Sequence, residues 1–170
     1  MKLQNPQLKG GHYAPILGIT PDMIVTPLPF WLGSALKYVW RAPRKNGGED
    51  FLKAADCLSR YANQLAYQPP QKCTYPGVII TADKLSQKIR NLDCIHSRAM
   101  HAVLQVVLWG SNSDPYHKIV AAADTSTEDA FSYGADYVLN LFELVEELGH
   151  WAQKIGDEDQ VTAWDSEAGK

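Results

Sequence analysis

Pro43, set between two amphipathic stretches, constrains the fold of this chain more than any other residue. Over residues 32–41, Leu32, Ala35, Leu36 and Val39 fall on one side at helical spacing, while Ser34, Lys37, Tyr38 and Arg41 fall on the other. Pro43 disfavours helical geometry at Ala42 and carries the chain into a turn of Arg44, Lys45, Asn46, Gly47 and Gly48. A second helix is expected from about residue 49, with Phe51, Ala55, Leu58, Ala62 and Leu65 as its apolar stripe. Two such helices joined by so short a turn fold back on each other as a hairpin. Their stripes then need further helices to cover them.

Those helices are legible downstream. Pro69, Pro70, Pro76 and Gly77 mark a linker, in which Val78, Ile79 and Ile80 form a short strand or pin the linker to the core. Thr81 reads as an N-cap. A stripe of Leu85, Ile89, Leu92, His96, Ala99, Val103 and Val106 then keeps the helical period to about Trp109. Residues 110–115 read as a turn and residues 116–123 as a short helix. A longer helix begins after residue 125 or 126, burying Phe131, Ala135, Val138, Phe142 and Val145 and exposing Asp129, Asp136, Asn140, Glu143 and Glu147. Residues 1–26, rich in Pro and Gly, are expected as loop or brief extended pieces. The fold class is all-α: a hairpin, two or three further helices and an irregular N-terminal segment, in one domain over residues 1–155, followed by an acidic tail over 156–170 that is expected to be flexible.

Size and charge bound the function. A chain of 170 residues, 45% hydrophobic, suits one core that buries about 70% of the unfolded surface. A net charge of −3 argues against coating duplex nucleic acid through overall basicity. Cys57, Cys73 and Cys94 form no C-x-x-C pair and leave an odd thiol, which suits a reducing cytoplasm. The most apolar run, residues 102–109, is too short to span a bilayer, and the first residues lack a signal-peptide core.

Against that acidic background the cations of the hairpin stand out. Lys37 and Arg41 share a helix face, and Arg44 and Lys45 follow in the turn. Arginine grips phosphate with a planar fork, lysine adds a point charge, and backbone N–H groups near Gly47 and Gly48 at a helix N-terminus favour an anion. The competing explanation is that these cations, with Glu49 and Asp50, complement helix dipoles. Phosphate-binding candidates are Lys37, Arg41, Arg44, Lys45, Gly47 and Gly48. Asp50 is the candidate to hold Mg2+ or orient a ribose hydroxyl. His96, inside an apolar stripe, reads as a core histidine, and His101 with Arg98 and Arg90 as a second anion patch or a solvent-facing group. Trp31, Trp40, Trp109 and Trp151 read as core or subunit-contact residues.

The motifs His12-Tyr13, GITPDMI and LGSALKYVWRAPRKNGGEDFLKAADCLSRY, over about residues 12–61, resemble a small phage-encoded domain found in the nucleotide kinase of short-tailed coliphages. The matching positions are His12, Tyr13, Gly33, Lys37, Tyr38, Arg41, Arg44, Lys45, Asp50 and Lys53. Ser34 stands where the family usually has Asn, and Pro43 where it commonly has Gly. The resemblance implies a (deoxy)nucleoside monophosphate kinase fed by a nucleoside triphosphate, acting as a homo-oligomer in the cytoplasm of an infected bacterium. It implies catalytic roles for Lys37, Arg41 and Asp50, and nucleotide contacts by His12, Tyr13, Tyr38 and Lys53.

Two alternatives accompany this reading. A non-catalytic sponge for host signalling nucleotides needs the same cationic pocket without a metal or base. An all-α nucleoside triphosphate pyrophosphohydrolase holds magnesium with paired acids; Glu143 and Glu146 offer one pair, and no second pair is evident. The chain has no GxxxxGK followed by Ser or Thr, so a kinase here uses another geometry. Neither duplex nucleic acid nor a membrane is an expected partner.

Overall fold

The computed structural model describes residue 13 and residues 15–65, 67, 75–92, 94–109 and 127–155; the side chains of 109 and 127–137 are not included. The protein is all-α: among the described residues the only extended pairing is an isolated bridge between Ile16 and Ile19. The two exchange both backbone hydrogen bonds at 2.9 Å around Leu17 and Gly18, whose φ angles of 54° and 76° belong to a mirror-image turn. The turn buries Ile16. A single helical turn, α1 (Asp22–Val25), follows and buries Ile24 and Val25, so the N-terminal region is not wholly loop or extended.

The hairpin forms as the spacing requires. Pro29, in extended geometry, opens α2 (Phe30–Arg41); a 3-10 turn (Ala42–Arg44) leads on to α3 (Gly48–Leu65). Leu32, Ala35, Leu36, Val39 and Trp40 of α2 are buried, as are Phe51, Ala54, Leu58, Tyr61 and Ala62 of α3. Each large side chain removed from water here contributes about 1.5–3 kcal/mol.

The downstream elements differ from expectation in three places. First, α4 (Pro76–Ile89) begins at Pro76, so Val78, Ile79 and Ile80 are helical rather than strand or linker. Proline lacks only an N–H that a helix N-terminus leaves unused, and Tyr75 before it is extended. Thr81 is therefore no cap; its hydroxyl donates to the Gly77 carbonyl one turn back at 2.7 Å.

Second, the stripe read as one helix to Trp109 is cut, and α5 (Ile95–Trp109) starts anew. Cys94 and Ser97 close its N-terminus reciprocally: Ser97 N–H donates to Cys94 Sγ at 3.3 Å and Cys94 N–H to Ser97 Oγ at 3.4 Å. This is a capping box with a thiol at the cap position.

Third, α6 (Thr127–Ala152) buries Leu141, Leu144 and Leu148, leaving Val138 and Val145 half-buried and Phe142 exposed. Phe131, Ala135, residues 110–126 and the tail over 156–170 lie outside the described side chains or residues.

α3 lies between α2 and α6, and α4 packs on α5 and α1. Leu85 and Ile89 of α4, Met100 and Leu104 of α5 and Leu148 of α6 join the hairpin stripes in one core. No helix among the described residues is long and apolar enough to cross a membrane. Cys57 and Cys94 are free thiols, both buried; Cys73 lies outside the described residues.

Candidate functional site

Arg41 in the last turn of α2 and Asp50 in the first turn of α3 meet across the hairpin turn. Arg41 Nε donates to Asp50 Oδ2 and Nη2 to Oδ1, each at 3.0 Å, a parallel fork on one carboxylate. Nη1 donates to the Tyr13 hydroxyl at 3.1 Å, and the guanidinium lies 4.6 Å from the Tyr38 ring centre. Asn46 Nδ2 reaches Asp50 Oδ1 at 3.4 Å. The Asp50 side chain is 0% exposed and that of Arg41 14%. Burial works against the Arg41 charge, but its hydrogen bonds to Asp50 and Tyr13 outweigh that and raise its pKa further.

The fork changes the role that spacing suggested for Asp50. Both its oxygens accept from Arg41, so the carboxylate serves as the counter-ion of a buried guanidinium rather than facing an open notch. Among the described residues no group of three or more His, Cys, Asp or Glu is arranged to hold a metal.

The glycines also differ from expectation. Gly47 takes φ 52°, the left-handed geometry that lets the turn close, and its N–H donates to the Ala42 carbonyl at 2.8 Å. The N–H groups of Asp50 and Phe51 both go to the Gly47 carbonyl, and that of Glu49 to Asn46. Gly48 lies against the end of α6: a Cβ there would stand 2.1 Å from the Ala152 carbonyl oxygen. The Gly47 N–H is therefore spent inside the turn, and Gly48 is packed against the end of α6. The negative end of α6 already faces the positive end of α3.

The remaining candidates divide. Lys53 pairs with Glu49 one helical turn back, and this hydrogen bond raises its pKa, with smaller contributions from Asp50 and Tyr38. Tyr13, Tyr38, Arg41, Asn46, Asp50 and Lys53 thus form one cluster. Lys37 on α2 and Lys45 in the turn are exposed. Arg44 is half-buried and close enough to His96 to oppose its protonation. His12 lies outside the described residues.

His96 on α5 is the core residue its stripe position suggested. Pro43 has no N–H to give the Val39 carbonyl one turn back, and His96 Nε2 donates to that oxygen at 2.6 Å. Complete burial is the main cause of its pKa falling to about 3, so the ring is neutral. His101 Nδ1 is 2.8 Å from the Ser86 hydroxyl, which also accepts from Gln105 Nε2 at 2.9 Å. This chain of hydrogen bonds ties α4 to α5, so His101 belongs to an internal contact. Trp40 is fully buried, whereas Trp31 is partly buried with Arg60 5.1 Å over its ring. The acids Glu143, Glu146 and Glu147 and the amide Asn140 line an exposed face of α6; the side chains of Asp129 and Asp136 lie outside the description.

Sequence reasoning named Tyr13, Arg41 and Asp50 but not their mutual bonding. It missed the end of α6 as a wall of the turn. The Val39 carbonyl, to which Pro43 has no N–H to give and which the Ala42 N–H shares with the Tyr38 carbonyl, was the available signal for His96.

Residues 11–59 match the model of a family described as a protein of unknown function, DUF3310. The match takes in the Ile16 turn, α1, α2 and the Arg41–Asp50 fork and ends inside α3. No curated protein and no solved structure matches the chain.

Proposed function

We propose that this protein binds nucleotide phosphates at the turn between α2 and α3 and acts there as a (deoxy)nucleoside monophosphate kinase, with Mg2+ entering on the triphosphate donor. The observation that carries the binding half is the charge arrangement of residues 37–53. Five cations face two carboxylates, and both carboxylates are engaged, by Arg41 and Lys53. On a chain of net charge −3, Lys37 and Lys45 are left as exposed point charges on the same hairpin as Arg41, whose guanidinium lies over the Tyr13 and Tyr38 rings. In this reading the lysines take the phosphates, Tyr13 and Tyr38 border the base, and Asp50 acts through Arg41, whose fork it fixes. The transfer half rests on the resemblance to the coliphage kinase domain, which also supplies the cytoplasm of an infected bacterium as the setting.

The engagement of Asp50 favours a second reading, the nucleotide sponge. With both oxygens of that acid on Arg41, the turn has one carboxylate fewer for a metal or a base.

Incubation with a panel of nucleoside mono- and triphosphates and Mg2+, followed by chromatography, tests both halves. Diphosphate formed from a monophosphate supports the kinase. Retained but unaltered ligand indicates sequestration, and monophosphate plus pyrophosphate indicates pyrophosphohydrolysis. Lys37→Ala combined with Lys45→Ala, both at exposed positions, is expected to weaken triphosphate binding by about tenfold or more with helicity unchanged. Unchanged affinity overturns the assignment of the site.

A further inference from the structure

The cationic turn is one end of a longer seam between α2 and α3. On α2, Trp31 and Tyr38 stand two helical turns apart, and on α3 so do Lys53 and Arg60, a spacing of about 10 Å in each case. The two helices run antiparallel and pack on each other, so each ring of α2 meets a cation of α3. At the turn end Tyr38 interacts electrostatically with Lys53 and carries Arg41 4.6 Å from its ring centre. At the far end the Arg60 guanidinium lies 5.1 Å from the centre of the Trp31 ring.

The far pair has no part in the Arg41–Asp50 cluster, and a third side chain joins it. The Phe30 ring stands nearly perpendicular to Trp31, at 76° with centres 4.8 Å apart, and is 72% exposed on a helix whose Leu32, Leu36, Val39 and Trp40 are buried. Asp56 accepts from Arg60 Nε at 2.8 Å, but both side chains are exposed, where such a pair is worth little. Two rings at a right angle with a guanidinium over one of them are what a nucleobase stacks on. From Phe30 one outward row of α2 leads through Ser34 to Lys37 and Arg41, toward the cations of the turn.

We infer that the seam holds two nucleotides at once, as transfer between a donor and an acceptor requires. One base is bordered by Tyr13 and Tyr38. The other stacks on Phe30, Trp31 and Arg60, with its phosphates running back toward Lys37. This inference rests on the nucleotide reading given above and adds to it the place of the second base. Stacking reads the face of the base rather than its edge, so this subsite is tolerant of base identity.

Calorimetric titration of the full chain tests it, with nucleoside monophosphates, nucleoside triphosphates and inorganic tripolyphosphate, which has phosphates but no base. Each nucleotide class is expected to bind while the other is saturating. Phe30→Ala and, separately, Arg60→Gln, both at exposed positions, are expected to weaken one class by about tenfold with helicity unchanged. The other class and tripolyphosphate keep their wild-type affinities. Variants that bind both classes as the wild type does overturn the second subsite and leave the site at the turn intact, as does mutual exclusion of the two classes. A loss for tripolyphosphate as large as that for the nucleotide reduces Arg60 to a surface charge and overturns the stacking. A wild-type chain that binds none of the three probes overturns the nucleotide reading itself, and this inference with it.

Discussion

The α2–α3 and α4–α5 hairpins are both antiparallel helix pairs buried in the same core, yet they are held by different chemistry. In the first, a guanidinium and a carboxylate form a two-bond fork, with one partner fully enclosed and the other bordering solvent. In the second, a hydroxyl joins an imidazole and an amide without an ion pair, and a thiol closes the helix start. A charged fork fixes an angle as well as a distance, and it penalises the loss of either member heavily. A chain centred on a hydroxyl tolerates the loss of that hydroxyl better, since no buried ion pair is broken. The hairpin whose turn carries the cations of the proposed site is the one held by charge.

The sharpest way to break this contrast is Asp50→Ala, which strands Arg41 beneath Tyr38 with no counter-ion. The expected loss is about 3–5 kcal/mol, read as a fall in the urea midpoint. A loss below about 1 kcal/mol would mean that the fork is not what holds the first hairpin.

Next in size is the pH dependence of the link between the hairpins, His96 on the Val39 carbonyl. The folded protein keeps this ring neutral down to about pH 3, whereas the unfolded chain takes up a proton below about 6.5. Stability from this group is therefore intact above pH 6.5 and drains as pH falls toward 3, by about 2 kcal/mol between pH 7 and 5. Urea titrations at the two pH values measure it, and His96→Phe should flatten the difference.

The smallest effect belongs to the Ser86-centred lock. Ser86→Ala removes a hydroxyl between His101 and Gln105 and should cost about 1 kcal/mol, measured by the same titration. A cost equal to that of Asp50→Ala would erase the distinction between the two hairpins.

The contrast also separates what the sequence discloses from what it hides. α2 and α3 were legible because their stripes are clean and Pro43 interrupts them. The boundary between α4 and α5 was not, because Leu85, Ile89, Leu92 and His96 keep the helical period across a break that Cys94 and Ser97 produce. Pro76 was readable as a first-turn proline, but its proline-rich surroundings made a linker the more natural reading. On α6, Val138, Phe142 and Val145 and, alternatively, Leu141, Leu144 and Leu148 both satisfy the period; packing on α3 selects the second set. At the site, residue types pointed to the cations but not to how they are shared. That Arg41 serves Asp50, nine positions away across a turn, depends on how closely two helix ends approach, which no local pattern encodes.

Where Gly48 meets Ala152, main chain abuts main chain, with no side chain between them to yield. The first turn of α3 and the last turn of α6 are thus machined to one clearance, and neither is free to drift without dragging the other. The contact is a mechanical stop for the proposed site, and the indole of Trp151, one residue from it, is a built-in gauge of any displacement there.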